Sequence, residues 1–381
     1  MKTIMKTKNY LFLLGASLLL GFSACDTSDD VVPTCTVTAP ADYTFEVDGS
    51  STVAFGGQTA RLSMVEEILT ILNGGTADLA SLNAMYADGT GFTGAGLDAS
   101  GKQLRSKTAG YQTATVKAHV QAQFDDMLAD YVNNVVPNLG QSAAEGTAGM
   151  IDNRELNAKG MEIDQLFAKG LIGALTLDQV VNGYLSDAKL GTADNVTRDV
   201  NVDANSTTME HYWDEGFGYV YGLEPDVLNP NYDELGGSGT SSAGSLINKY
   251  LGKVGDYRTD VYSSFVEGRQ GIVEGCDAVR DAEAADIKVA LSAVVMNKAE
   301  SYLRSAADAV DESAAYFHAL SEGYGFILSL QFTSDADGNP YFTHSQVNDM
   351  LEALEAGNGF WDRTDAELRQ MADDINAVSG L

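Results

Sequence analysis

One pattern occurs twice in this chain, and it constrains the fold more than any other feature. His211-Tyr-Trp-Asp-Glu215-Gly-Phe-Gly-Tyr-Val-Tyr-Gly-Leu223 returns as His318-Ala-Leu-Ser-Glu322-Gly-Tyr-Gly-Phe-Ile-Leu-Ser-Leu330. In both, a His is followed one helical turn later by Glu, then by Gly, an aromatic residue, a second Gly and a second aromatic residue. Such a match predicts an internal duplication. On a helix, the spacing puts imidazole and carboxylate on one face.

The flanking sequence predicts helices of similar weight. Leu62, Val65, Ile68, Leu69 and Leu72 recur at helical spacing and stop at Asn73-Gly74-Gly75. Long helices are expected over 102–136, 153–185, 256–276, 282–310 and 364–378, with a capping box at Thr343-His-Ser-Gln346. Strand signals are confined to a small hairpin, Tyr43 to Val47 and Thr52 to Phe55, around Asp48-Gly49. Pro225, Pro230, Gly236, Gly237 and Gly239 mark a boundary at 223–245. The expected architecture is all-α: two helical bundles, 42–230 and 240–381, related by a pseudo-twofold repeat, with the hairpin at the start.

The amino terminus is set apart. Lys2, Lys6 and Lys8 precede an apolar run, Tyr10 to Phe22, and Ser23-Ala24-Cys25 closes it. Residues 1–24 therefore predict a secretory signal. The small residues before the cysteine resemble the lipobox of bacterial lipoproteins, which implies lipid on Cys25 and an anchor in the membrane. The acidic run Asp26-Thr-Ser-Asp-Asp30 resembles the tag that carries some outer-membrane lipoproteins to the cell surface. Residues 25–41 then form a tether. With Cys25 assigned to lipid, Cys35 and Cys276 remain; a bridge is permitted outside the cytoplasm, but nothing in the sequence brings the two together.

A formal charge of −31 repels nucleic-acid phosphates, so no nucleic-acid partner is expected. Gly89-Thr-Gly-Phe-Thr-Gly94 matches a dinucleotide fingerprint only in letters, because it follows a helical stretch and opens no βαβ unit. The 335–340 turn is a loop and not a calcium site, since Pro340 stands where an EF-hand needs Gly. Neither Gly-x-Ser-x-Gly nor His-Glu-x-x-His is present, which argues against a hydrolase.

Phe55-Gly-Gly-Gln58-Thr-Ala-Arg61-Leu62, Lys102-Gln-Leu-Arg-Ser-Lys107, Lys169-Gly-Leu-Ile-Gly-Ala174 and the two His/Glu segments resemble a family of acidic all-helical bacterial lipoproteins, a domain of unknown function. Through its helical build the chain is also distantly similar to imelysin-like proteins. That second resemblance implies an extracytoplasmic role in iron uptake, with envelope uptake proteins as partners. The imelysin signature spaces His and Glu by three residues, whereas both copies here space them by four. Two imidazoles and two carboxylates suit Fe, Zn or Mn, so His211, Glu215, His318 and Glu322 are the candidate metal ligands. A structural reading competes: each His bonded to its own Glu inside the fold. Tyr212, Trp213, Phe217 and Tyr324 are candidate contacts for a sugar or porphyrin, with core packing the alternative. The expected function is binding of a metal ion or metal complex, the alternative a polysaccharide- or protein-binding surface lipoprotein without metal.

Overall fold

The computed structural model describes residues 35–74, 78–198, 205–224, 246–254 and 257–379. Twelve α-helices lie among them: α1 (Gly56–Leu72), α2 (Leu79–Asn83), α3 (Ala114–Asp130), α4 (Ile163–Leu171), α5 (Asp187–Leu190), α6 (Thr208–Tyr221), α7 (Asn248–Leu251), α8 (Tyr257–Glu274), α9 (Asp277–Asp308), α10 (Ala314–Ser329), α11 (His344–Glu355) and α12 (Asp365–Ser379). The two strand pairs are short antiparallel hairpins, β1 (Glu46–Val47) with β2 (Ser50–Ser51) and β3 (Gly149–Ile151) with β4 (Arg154–Leu156). The all-α class and the first hairpin agree with the sequence. The second hairpin does not, because the helix expected from 153 begins only at Ile163. Asp152 turns the chain there with φ at 50°. Likewise the helix expected from 102 starts at Ala114, where Thr113 caps it, after a looped stretch.

Helix starts follow local chemistry. Thr207 and Glu210 form a reciprocal capping box at α6, Ser313 accepts from the Tyr316 N–H at α10, and Thr343 with Gln346 caps α11 as expected. Four π-helical stretches, Ala84–Asp88, Tyr131–Val135, Ile172–Leu177 and Val180–Tyr184, widen the helices locally.

Helices expected in two separate bundles share one core. α10 packs on α9 and on α4, α1 packs on α6, and α6 packs on α8. A helix from the second half thus lies directly on one from the first, and a single apolar cluster runs from Tyr43 to Ile375. Residues from Cys35 to Leu381 form one compact unit. The expected boundary lies, from 225 onward, outside the described residues.

Cys35 and Cys276 are disulfide-bonded, with Cα atoms 5.7 Å apart. The bridge ties the segment before β1 to the residue that precedes α9. Nearby, Arg269 on α8 is fully buried; its Nε lies 3.0 Å from Asp214 and one terminal nitrogen 3.1 Å from Glu210. Tyr43 Oη donates to the same Asp214 at 2.7 Å, so one ionic cluster pins the first strand segment onto α6 and α8. Among the described residues no helix is long and apolar enough to cross a membrane.

Candidate functional site

Each copy of the repeat builds its own polar site, and each recruits a partner from a neighbouring helix. In the first, His211 Nε2 lies 3.8 Å from Glu215 Oε2, and Gln58 of α1 donates to Glu215 Oε1 at 2.8 Å. α1 comes this close because position 218 is glycine: a Cβ there would sit 2.9 Å from Phe55 Cγ and 3.1 Å from Gln58 Cβ. In the second, His318 Nε2 lies 3.6 Å from Glu322 Oε2, and Lys169 of α4 reaches Glu322 Oε1 at 3.2 Å. Gly325 plays the part of Gly218: a Cβ at 325 would meet Lys169 Cβ at 2.5 Å and the Gly170 nitrogen at 3.0 Å. Each signature helix thus has a close-packed neighbour that meets its Glu, α1 for α6 and α4 for α10.

The surroundings of the two carboxylates are also alike. Glu215 attracts Lys107 and Lys189, while burial holds both lysines below the usual lysine range. The Lys189 Nζ lies 3.9 Å from the centre of the Tyr212 ring, 5.1 Å from Tyr184 and 5.6 Å from Tyr111. Tyr111 is 37% exposed and Tyr212 half-buried, so this ring-lined ammonium faces solvent. Glu322 accepts from Tyr250 Oη at 3.3 Å, and Lys169, Lys249 and Lys253 lie 5.9, 5.9 and 5.2 Å from the Tyr250 ring centre. Burial pushes the Glu322 carboxyl up, but Lys169 and His318 outweigh it and hold it below the usual glutamate value. Burial lowers Lys169 despite the pull of Glu322.

The histidines differ. His211 Nδ1 is buried without a hydrogen-bond partner, whereas His318 Nδ1 lies 2.8 Å from Glu162 Oε2. The four expected metal ligands thus form two separate pairs, each engaged by its own neighbours. Among the described residues no group of three or more His, Cys, Asp or Glu side chains is placed to hold a metal ion. The donor sets also suit a cation poorly, since Glu322 is paired with Lys169 and Glu215 already attracts Lys107 and Lys189.

Of the expected ring contacts, only Tyr212 is at the surface. Trp213 is fully buried and donates to the Phe265 carbonyl at 2.9 Å, Phe217 stacks on Tyr43 at 3.7 Å, and Tyr324 is buried with its hydroxyl 2.6 Å from Glu355. These three belong to the core. Cys25 lies outside the described residues. Sequence reasoning missed the lysines, which no spacing connects, and also a histidine pair: His119 Nδ1 and His344 Nε2 lie 3.0 Å apart, joining α3 to α11. Burial and the neighbouring imidazole lower the His344 pKa.

Fold and site together define an all-helical protein with a duplicated His–Glu site faced by lysines and tyrosines. A family model described as a domain of unknown function (DUF4856) matches residues 40–381, and the chain belongs to that family. No curated protein and no solved structure matches it.

Proposed function

We propose that this protein is a cell-envelope lipoprotein, anchored through lipid on Cys25 at the outer membrane and exposed at the cell surface, that binds a saccharide without a resident metal. The observation that carries this reading is the set of Tyr111, Tyr184 and Tyr212 around Lys189, which the His211-paired Glu215 attracts. A sugar ring offers an apolar face to an aromatic side chain and hydroxyls to carboxylate, amide and ammonium groups. Tyr111 and the half-buried Tyr212 supply ring surface, and Glu215 and Lys189 supply polar atoms near it, with Glu215 held by the buried Gln58 amide. Metal uptake is the weaker reading, because Glu215 already accepts from Gln58 and Glu322 is paired with Lys169.

A soluble Cys25→Ala form screened on a glycan array, with hits measured by calorimetry, tests the binding. Tyr212→Ala is expected to weaken binding about tenfold or more while leaving the melting temperature nearly unchanged, since the ring is only half-buried. Equal binding by Tyr212→Ala and Tyr111→Ala would remove the proposed face. One equivalent of Fe, Zn or Mn retained through purification, and lost in His211→Ala, would restore the metal reading. For the anchor, a fatty-acid analogue is expected to label the wild type and not Cys25→Ala.

A further inference from the structure

The region around Glu322 carries a concentration of positive charge that neither the saccharide reading nor the fold uses. The chain holds 54 acidic and 23 basic residues, so lysines on its surface have many carboxylates to pair with. Lys249, Lys253 and Lys298 do not pair: among the described residues none has a carboxylate within the 4.0 Å of an ion pair. Their common anion is Glu322, which attracts both Lys253 and Lys298. That carboxylate is already bonded to the buried Lys169 at 3.2 Å.

These ammonium groups do not come from one basic run. Lys169 belongs to α4, Lys249 to α7, Lys253 to the residues just after it, and Lys298 to α9. They converge on two rings that both bond Glu322. Three lie within 5.9 Å of the Tyr250 centre, and Lys298 lies 6.0 Å from Tyr302. Tyr250, Lys169 and Glu322 are buried, whereas Lys249 and Lys253 are exposed and Lys298 and Tyr302 half-buried. The surface lysines thus stand over a rigid, nearly neutral interior with their own charges unanswered.

We propose that Lys249, Lys253 and Lys298 form a binding site for a tetrahedral oxyanion, a phosphate or sulfate group, free or carried as an ester. A planar carboxylate is matched best by the fork of an arginine. Separate ammonium groups, each a point charge with rotatable donors, suit an anion with oxygens on every side. Such an anion restores local neutrality that the single carboxylate does not. The site is separate from the Tyr212 face, so it stands or falls independently of the saccharide reading.

Calorimetry on the soluble Cys25→Ala protein, titrated with sodium phosphate, sodium sulfate and glucose 6-phosphate against sodium chloride at matched ionic strength, tests this. At least one of the three is expected to bind and raise the melting temperature where chloride does not. The double variant Lys253→Gln/Lys298→Gln is expected to weaken that binding about tenfold or more. Arg304→Gln, which removes a charge from a surface pair with Asp373, is expected to leave it unchanged. Tighter binding of inorganic phosphate or sulfate assigns a free anion, and tighter binding of glucose 6-phosphate assigns a carried group. Oxyanion binding no stronger than that of chloride, or a double variant that binds like the wild type, overturns the proposal.

Discussion

The site on α6 and the site on α10 descend from one pattern, yet they hold their glutamates differently. Glu215 meets an amide, Gln58, and keeps a fifth of its side-chain surface in water. Glu322 meets an ammonium, Lys169, with both side chains almost fully enclosed, 4% and 9% exposed. A neutral partner suffices where solvent shares the charge, while an enclosed carboxylate needs an opposite charge or a proton. The duplicated geometry was kept and the electrostatics diverged, so one copy is open to a ligand at the Glu and the other is committed to an internal pair.

The largest test of this contrast removes the partners. Lys169→Met takes the bonded ammonium from the enclosed Glu322, leaving His318 and the Tyr250 hydroxyl as its near partners, and is expected to cost about 3 kcal/mol in urea unfolding. Gln58→Leu removes a single hydrogen bond from a carboxylate that water still reaches, and about 1 kcal/mol is expected. Equal losses would erase the distinction.

Acidity gives the next effect, with opposite signs in the two regions. The folded Glu322 value is lower than the unfolded one, so its contribution to stability is complete above pH ~4.5 and is lost as pH falls through the folded value. Asp178 accepts from the Tyr111 N–H that frames the first site, and burial raises it to about 6 despite that bond. Its contribution is present below pH ~3.9 and is lost as pH rises through about 6. Urea unfolding free energies measured against pH are expected to show Asp178→Asn flattening a decline of ~2 kcal/mol between pH 4 and 6. Glu322→Gln is expected to flatten the acid-side loss instead. A single slope shared by both variants would contradict the opposite signs.

The smallest effect separates the two glycines within each copy. Gly325→Ala forces a methyl group against the α4 backbone and is expected to cost about 1–3 kcal/mol. Gly218→Ala forces its methyl group against the Cβ atoms of Phe55 and Gln58, which no side-chain rotation moves away, so a cost of the same order is expected. A methyl group at Gly216 or Gly323 finds its nearest neighbours at 3.6 or 3.5 Å, and helix propensity then favours alanine by up to about 1 kcal/mol.

Much of this was legible in the sequence, but unevenly. The His–Glu spacing, both signature helices and the Thr343 cap were readable because they rest on contacts within one turn of chain. The neighbours α1 and α4 were not recognised, since Gln58 lies in the first turn of one helix and Lys169 in the last turn of the other, and the two differ in chemistry. Convergence of the four expected ligands could not be judged, because it depends on α10 lying on α4, a long-range packing choice that periodicity does not encode. The lysine site is invisible for the same reason: Lys169, Lys249, Lys253 and Lys298 come from separate stretches. Aromatic residues misled in the other direction, as Trp213 and Phe217 carry the same one-letter signal whether they face a ligand or Tyr43.

The Cys35–Cys276 bridge has a mechanical consequence. If Cys25 carries the lipid proposed above, a tug from the membrane would reach Cys35 and pass from there through a covalent bond into the start of α9. The load bypasses the two-residue strands of the first hairpin, which would otherwise peel one hydrogen bond at a time. Nine residues lie between Cys25 and Cys35, ten Cα-to-Cα steps, so a fully extended chain there would span at most about 35 Å. Under the proposed anchoring, a pull on the amino-terminal side of Cys35 would load α9, the longest of the described helices, ahead of the first hairpin.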